Sequence, residues 1–64
     1  MKNKIKELRK KQKITQEELA NTLGVTRQTI NAIENNKYNP TLELAMKLAR
    51  LLGIRVDELF ILED

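Results

Sequence analysis

The sequence predicts an all-α domain built from five helices, and three observations lead there. Two neighbouring segments open with the same start signal, a threonine cap behind an apolar residue. The chain's 2 glycines both fall where a helical pattern stops, at Gly24 and Gly53. Elsewhere apolar residues recur at the spacing of one helix face, and nothing requires a strand.

The first helix is expected over residues 2–11, with Ile5 and Leu8 as its apolar stripe and cations in its last turn. That stripe is narrow, so the helix lies on the core rather than through it. The second helix spans residues 16–23. Thr15 accepts a hydrogen bond from a free backbone N–H, Glu18 reaches back to Thr15, and Ile14 packs on Leu19, a capping box with a hydrophobic staple. Gly24 takes the left-handed conformation that ends this helix at least cost. The third helix spans residues 27–34, with Thr26 as its cap and Val25 against Ile30 as its staple. Either Asn35 or Asn36 suits the left-handed position that follows, and Tyr38, Asn39 and Pro40 make a connection that no helix crosses. Thr41 caps the fourth helix, Glu43 suits its positive end, and Gly53 stops it. Leu42, Ala45, Leu48, Ala49 and Leu52 form its inward stripe and the largest single share of the core. Asp57 caps a short fifth helix, stapled by Val56 and Ile61. Leu42, Leu44, Leu48, Leu51 and Leu52 also suggest a zipper seam, but the run is too short for three heptads, and core packing accounts for it better.

Composition narrows the function. The 64 residues make one domain, 1–64, of marginal stability unless packing is good or the chain oligomerises. There is no Cys, which excludes disulfides and cysteine zinc sites, and no His or Ser, which removes the usual nucleophile–base pairs and metal ligands. No metal, cofactor or enzymatic activity is expected. No apolar run is long enough to span a membrane and no signal peptide opens the chain, so a cytoplasmic protein is expected. The net charge is +3, unevenly placed. Residues 1–13 hold seven Lys or Arg against one acid, residues 14–37 two against three, and residues 38–64 three against five. A basic end on a nearly neutral body suits a polyanion such as DNA, although Lys2, Lys4, Lys6, Lys10, Lys11 and Lys13 equally suit a solvated face.

The second and third helices, with Gly24 between them, read as a helix-turn-helix over residues 16–35. Leu19, Ala20 and Leu23 face inward from one and Ile30 and Ile33 from the other, and the small Ala20 lets the two cross closely. Such a pair puts its second helix in the DNA major groove.

The segments LRKKQKITQEELANTLGVTRQTINAIENNK and NPTLELAMKLARLLGIRVDELF, in that order, resemble the phage repressor and Cro class of helix-turn-helix regulators, the xenobiotic-response-element family. The resemblance covers nearly the whole chain and implies a lambda-repressor-like fold. It also implies roles. Gln16 matches a position that hydrogen-bonds a DNA phosphate beside a helix N-terminus, which free N–H groups and a positive dipole end favour; it is also simply a good first helical residue. Thr26, Arg27, Gln28, Asn31 and Ala32 match the face that meets DNA, with Gln28 and Ala32 over the base edges. Gln pairs bidentately with adenine, Arg with guanine, and an Ala methyl can touch a thymine methyl. Ala32 supplies no hydrogen bond where some relatives carry Gln, which shifts specificity toward DNA shape. Asn35 and Lys37 match phosphate-contacting positions, Thr41 at the start of the fourth helix is a further phosphate-contact candidate, and Arg9 with Glu34 matches a largely buried ion pair joining the first helix to the third.

Relatives commonly bind operators as two-fold dimers. The apolar trio Phe60, Ile61 and Leu62 stands beside Glu63 and Asp64, more than so small a core covers, and an exposed apolar patch marks a partner site. A homodimer is therefore expected through Leu51, Ile54, Val56, Phe60, Ile61 and Leu62, with the tail 60–64 pairing as a short strand or else fraying. The expected function is a sequence-specific transcriptional regulator, a repressor, binding double-stranded DNA at an inverted repeat. Two other readings stay open: an antitoxin that also binds its own promoter, against which the lack of an extended toxin-wrapping tail argues, and an adaptor for an unknown protein partner.

Overall fold

The structure, a computed structural model describing residues 1–63, runs β1 (Lys2–Asn3), α1 (Ile5–Lys11), α2 (Gln16–Leu23), α3 (Arg27–Glu34), α4 (Leu42–Leu52), α5 (Val56–Leu59) and β2 (Phe60–Ile61). Asp64, the last residue of the expected tail, lies outside the described residues. The five-helix architecture is that expected, with a small strand pair added.

That pair is the first correction. Residues 2–4 are not the start of α1: β1 pairs antiparallel with β2, Lys2 opposite Ile61 and Asn3 opposite Phe60. The Asn3 side-chain oxygen accepts the Ile5 N–H at 3.1 Å and so starts α1, while the Lys4 N–H donates to the Leu59 carbonyl at 2.9 Å. The turn that the Asn3 side chain closes onto Ile5, together with a partner strand, thus outweighs helix propensity here. The tail does form a strand, but with the chain's own N-terminal segment.

Four helices end in one way. In each, a left-handed residue follows the helix and the next N–H returns to a carbonyl five residues back: Ile14 to Arg9, Val25 to Ala20, Lys37 to Ala32 and Ile54 to Ala49. The left-handed residues are Lys13 (φ 59°), Gly24 (72°), Asn36 (62°) and Gly53 (74°). Gly24 and Gly53 stand where expected and Asn36 takes the turn after α3. Lys13 had no sequence signal.

Ile5, Leu19, Ile30, Ile33, Leu48 and Leu59 are the largest fully buried side chains, with Ala20, Ala45, Ala49, Leu52 and Phe60 around them. α2 packs on α3, and α1 and α5 on α4. Leu42 is not core: it is 73% exposed, because the first turn of α4 overhangs a hollow instead of meeting another helix. The start of α5 also differs. Arg55 holds the cap position, its N–H donating to Glu58 Oε1 at 3.4 Å, and Asp57 lies inside the helix, bonded to the Arg55 guanidinium at 3.1 Å. Ile61 belongs to β2 and cannot staple α5; Ile54 and Leu59 hold the staple positions and both pack into the core.

Candidate nucleic-acid interface

α3 is amphipathic at helical period, and its start is fixed by Thr26, whose Oγ1 accepts the Thr29 N–H at 3.2 Å. Ile30 and Ile33 are buried against the core, which turns Arg27, Gln28 and Asn31 outward to solvent, with Ala32 half-buried at the edge of that face. Past the end of α3, Asn35 folds back, its Nδ2 donating to the Asn31 carbonyl at 3.0 Å and to Asn31 Oδ1 at 3.2 Å. The two asparagines are thus one polar unit rather than two independent contacts. Lys37 is exposed, its backbone held by the bond to Ala32 at 2.9 Å.

Gln16 stands at the first position of α2, half-buried, and its Nε2 donates to Glu34 Oε1 at 3.1 Å. Glu34 is itself gripped by Arg9: Nε is 2.8 Å from Oε2 and Nη2 3.2 Å from Oε1, with side chains only 9% and 2% exposed. The third guanidinium nitrogen, Nη1, donates to the Ile14 carbonyl at 2.9 Å. This fork-to-fork arrangement satisfies both charges, as burial demands. It also fixes the start of α2 relative to the end of α3, so Gln16 is pre-positioned by a structural pair. Among the described residues no buried side-chain polar atom lacks a partner.

Gln16 and Arg27 share a hollow with Lys10, Lys13 and Thr15, between the end of α1 and the starts of α2 and α3; Glu17 is the acid on its wall. Lys10 and Lys13 are the residues that sequence reasoning left in an undifferentiated basic stretch. Only their helical phase and the left-handed turn at Lys13 bring them to this face. Thr41 caps α4 by accepting the Leu44 N–H at 3.2 Å and lines a separate hollow with Thr29 and Tyr38, flanking α3 on its other side. At the start of α2, the hydrogen bonds from the Thr15 N–H and with the Thr15 side chain hold the Glu18 carboxyl below its ordinary value.

The residues expected at a dimer face fall into two groups. Val56, Phe60 and Leu62 line an apolar hollow of about 720 Å³ with Met1, Pro40 and Leu42; Leu62 is 82% exposed, whereas Phe60 is mostly core. Leu51 instead lines a different hollow, with Thr22, Leu23 and Arg50, and Ile54 is half-buried on the core. Ile61 is partly exposed, on β2.

Two capped helices crossing at a left-handed turn, with a buried seam and an outward polar second helix, define a helix-turn-helix domain of the DNA-binding regulator class. A helix-turn-helix family model matches residues 5–59, and the chain belongs to this Cro/C1-type family of transcriptional regulators, which are not enzymes. An HTH-type transcriptional regulator of Methanocaldococcus jannaschii is 53% identical over 64 residues, covering 100% of this chain and 97% of the relative. The HTH-type transcriptional regulator YgzD of Bacillus subtilis is 47% identical, covering 100% and 97%. The cryptic phage CTXphi transcriptional repressor RstR of Vibrio cholerae is 40% identical over 57 residues, 89% of this chain and 51% of that protein. Among the described residues no group of acids, Cys or His is placed to hold a metal, and no helix is long and apolar enough to cross a membrane.

Proposed function

We propose that the chain is a cytoplasmic repressor that binds an inverted-repeat operator as a homodimer, with α3 in the major groove. The observation that carries this reading is the division of α3: Ile30 and Ile33 are 0% and 1% exposed while Arg27, Gln28 and Asn31 face solvent. Gln28 is the base reader and Arg27 a base or phosphate contact, with Thr26, Asn31 and Ala32 completing the face. Gln16, Asn35, Lys37 and Thr41 contact phosphates. The Arg9–Glu34 pair is structural. Occupancy of the promoter by the dimer blocks transcription, a reading supported by the repressor named among the relatives. Dimerisation buries the apolar hollow at Val56, Phe60 and Leu62, together with Ile61, Ile54 and Leu51 outside that hollow, and sets the two recognition helices about 34 Å apart, one turn of DNA.

The test is a titration of the purified protein against its own promoter and a scrambled duplex at two salt concentrations. The proposal expects strong preference for the promoter and affinity that falls steeply with salt. Gln28→Ala should weaken the specific complex by about 1–3 kcal/mol and leave non-specific binding nearly intact. Equal loss on both duplexes would remove Gln28 from the base readers. Binding to neither duplex at low salt would overturn the regulator reading in favour of an adaptor.

A further inference from the structure

The N-terminal strand ends on the recognition helix. Asn3 lies opposite Phe60 in the strand pair, and its side chain crosses to the far end of α3. There Nδ2 donates to the Ile33 carbonyl at 2.8 Å and to Asn36 Oδ1 at 3.2 Å. Its Oδ1 meanwhile accepts the Ile5 N–H at 3.1 Å. One half-buried amide thus joins three places: the strand pair that carries the tail, the start of α1, and the left-handed turn at Asn36 from which Lys37 emerges. The Ile33 carbonyl already receives the Asn36 N–H at 3.1 Å, so Asn3 grips the turn at both ends. Asn36 is a non-glycine residue at positive φ, a conformation unfavourable for most side chains and least so for Asn and Asp. The backbone bonds close the turn, and Asn3 adds a side-chain grip on it from outside.

We propose that Asn3 is a positioning residue for DNA binding, fixing the turn at 35–37 so that Lys37 meets its phosphate. This rests on the DNA-binding reading above and adds to it a link from tail to recognition helix. An asparagine does this better than a charged residue because it donates toward α3 and accepts from α1 with one side chain. Loosening the strand pair at the tail therefore weakens the grip on DNA at the other end of the link.

The experiment is a double-mutant cycle on operator binding, read at two salt concentrations, with Asn3→Ala, Lys37→Ala and both together. Asn3→Asp is added because it can still accept from Ile5 N–H and start α1, yet offers no donor to Ile33 or Asn36. Asn36→Gly is added because it keeps the left-handed turn without strain and removes one of the two acceptors that Asn3 uses, leaving the Ile33 carbonyl. We expect Asn3→Ala and Asn3→Asp each to lower specific affinity by about threefold to tenfold, the scale of one hydrogen bond, and Asn36→Gly, which keeps the bond from Asn3 to Ile33 and a turn that glycine adopts without cost, to lower it less. Lys37→Ala should cost far less in the Asn3→Ala background than alone, and the salt slope of Asn3→Ala should already be shallower. Effects that multiply to within about twofold would overturn the proposal and leave Asn3 a purely structural residue. Should Asn3→Ala fail to fold, the same comparison with Asn3→Asp decides. The two readings fail differently. If Lys37→Ala alone leaves the salt slope unchanged, the phosphate contact itself is wrong; if it flattens the slope but Asn3 acts independently, only the link is wrong.

Discussion

Gly24 and Lys13 hold the same place at the ends of neighbouring helices, and the chain keeps them there by different means. Both are left-handed, at φ 72° and 59°, and both turns close with the same pair of backbone hydrogen bonds. Around Gly24 those backbone bonds suffice, since glycine adopts this conformation without steric cost. Around Lys13, and again around Asn36, the turn carries a side chain that prefers to be elsewhere. Both of those turns are braced by polar side chains, one from within the helix that the turn ends and one from the N-terminal strand. Arg9 reaches past Lys13 to the Ile14 carbonyl, and Asn3 reaches across to Ile33 and Asn36. Arg9 and Glu34 then tie the two braced regions to each other. Glycine makes a turn self-sufficient, whereas a side chain there must be held by the tertiary structure and can in return face a ligand.

The largest effect should come from breaking that tie. Arg9→Ala leaves Glu34, 2% exposed, without its cationic partner and frees the Ile14 carbonyl. A loss of about 3–5 kcal/mol is expected, most of the stability that a domain of this size has. Urea melts measure it. A loss below about 1 kcal/mol would mean that the braced turns hold themselves, and the contrast with Gly24 would collapse.

Next in size is Gly24→Ala. A Cβ at Gly24 meets nothing within 4 Å, so the cost is backbone conformation alone, about 1–2 kcal/mol. Gly53→Ala, at φ 74° and equally open, should cost the same. A much larger loss at Gly24 in thermal melts would show that its turn also depends on close packing.

Lys13→Gly runs the comparison in reverse. It relieves about 1–2 kcal/mol of left-handed cost and adds about 0.5–1 kcal/mol of unfolded-chain entropy, so stability should rise by about 1 kcal/mol or less. Asn36→Gly should gain less, because asparagine tolerates the conformation better and its Oδ1 serves Asn3. A fall in melting temperature for Lys13→Gly would show that the lysine side chain contributes packing that outweighs its strain.

These turns also mark what could be read from the sequence. The bounds of α2 and α3 were legible to the residue, because caps, staples and Gly24 are local signals at fixed offsets. The outward face of α3 was legible as well, since periodicity places Arg27, Gln28 and Asn31 opposite Ile30 and Ile33. The Arg9–Glu34 pairing came from family resemblance, not from spacing; no local rule joins residues so far apart. The strand pair was invisible because two-residue strands have no period, and their partners are at opposite ends of the chain. Lys13 was missed for a related reason: lysine is not a left-handed residue by preference, and its turn is closed by backbone bonds and the Arg9 guanidinium on the Ile14 carbonyl. Leu42 misled because a correct helical phase does not guarantee a neighbour to pack against.

The smallest effect sharpens the contrast at the opposite end of α2, where the helix starts. Thr15 and Glu18 exchange hydrogen bonds there, Glu18 Oε1 accepting the Thr15 N–H and Thr15 Oγ1 accepting the Glu18 N–H, both at 3.0 Å. α3 repeats the threonine cap but has Thr29 where α2 has Glu18, so its start carries no titratable partner. The bonds from Thr15 hold the Glu18 carboxyl below the usual carboxylate range in the folded chain. A lowered folded-state value means that the unfolded chain takes up the proton first as pH falls. The stabilisation is therefore complete above the unfolded value and disappears as pH drops through the folded one. Glu18→Gln keeps an oxygen that can accept from Thr15 and removes the charge. Its melts should match wild type in acid and fall slightly below it at neutral pH, where the carboxylate also favours the positive end of α2. A difference independent of pH would mean that the box works through geometry alone, and that the two helix starts, unlike the helix ends, are held by the same means.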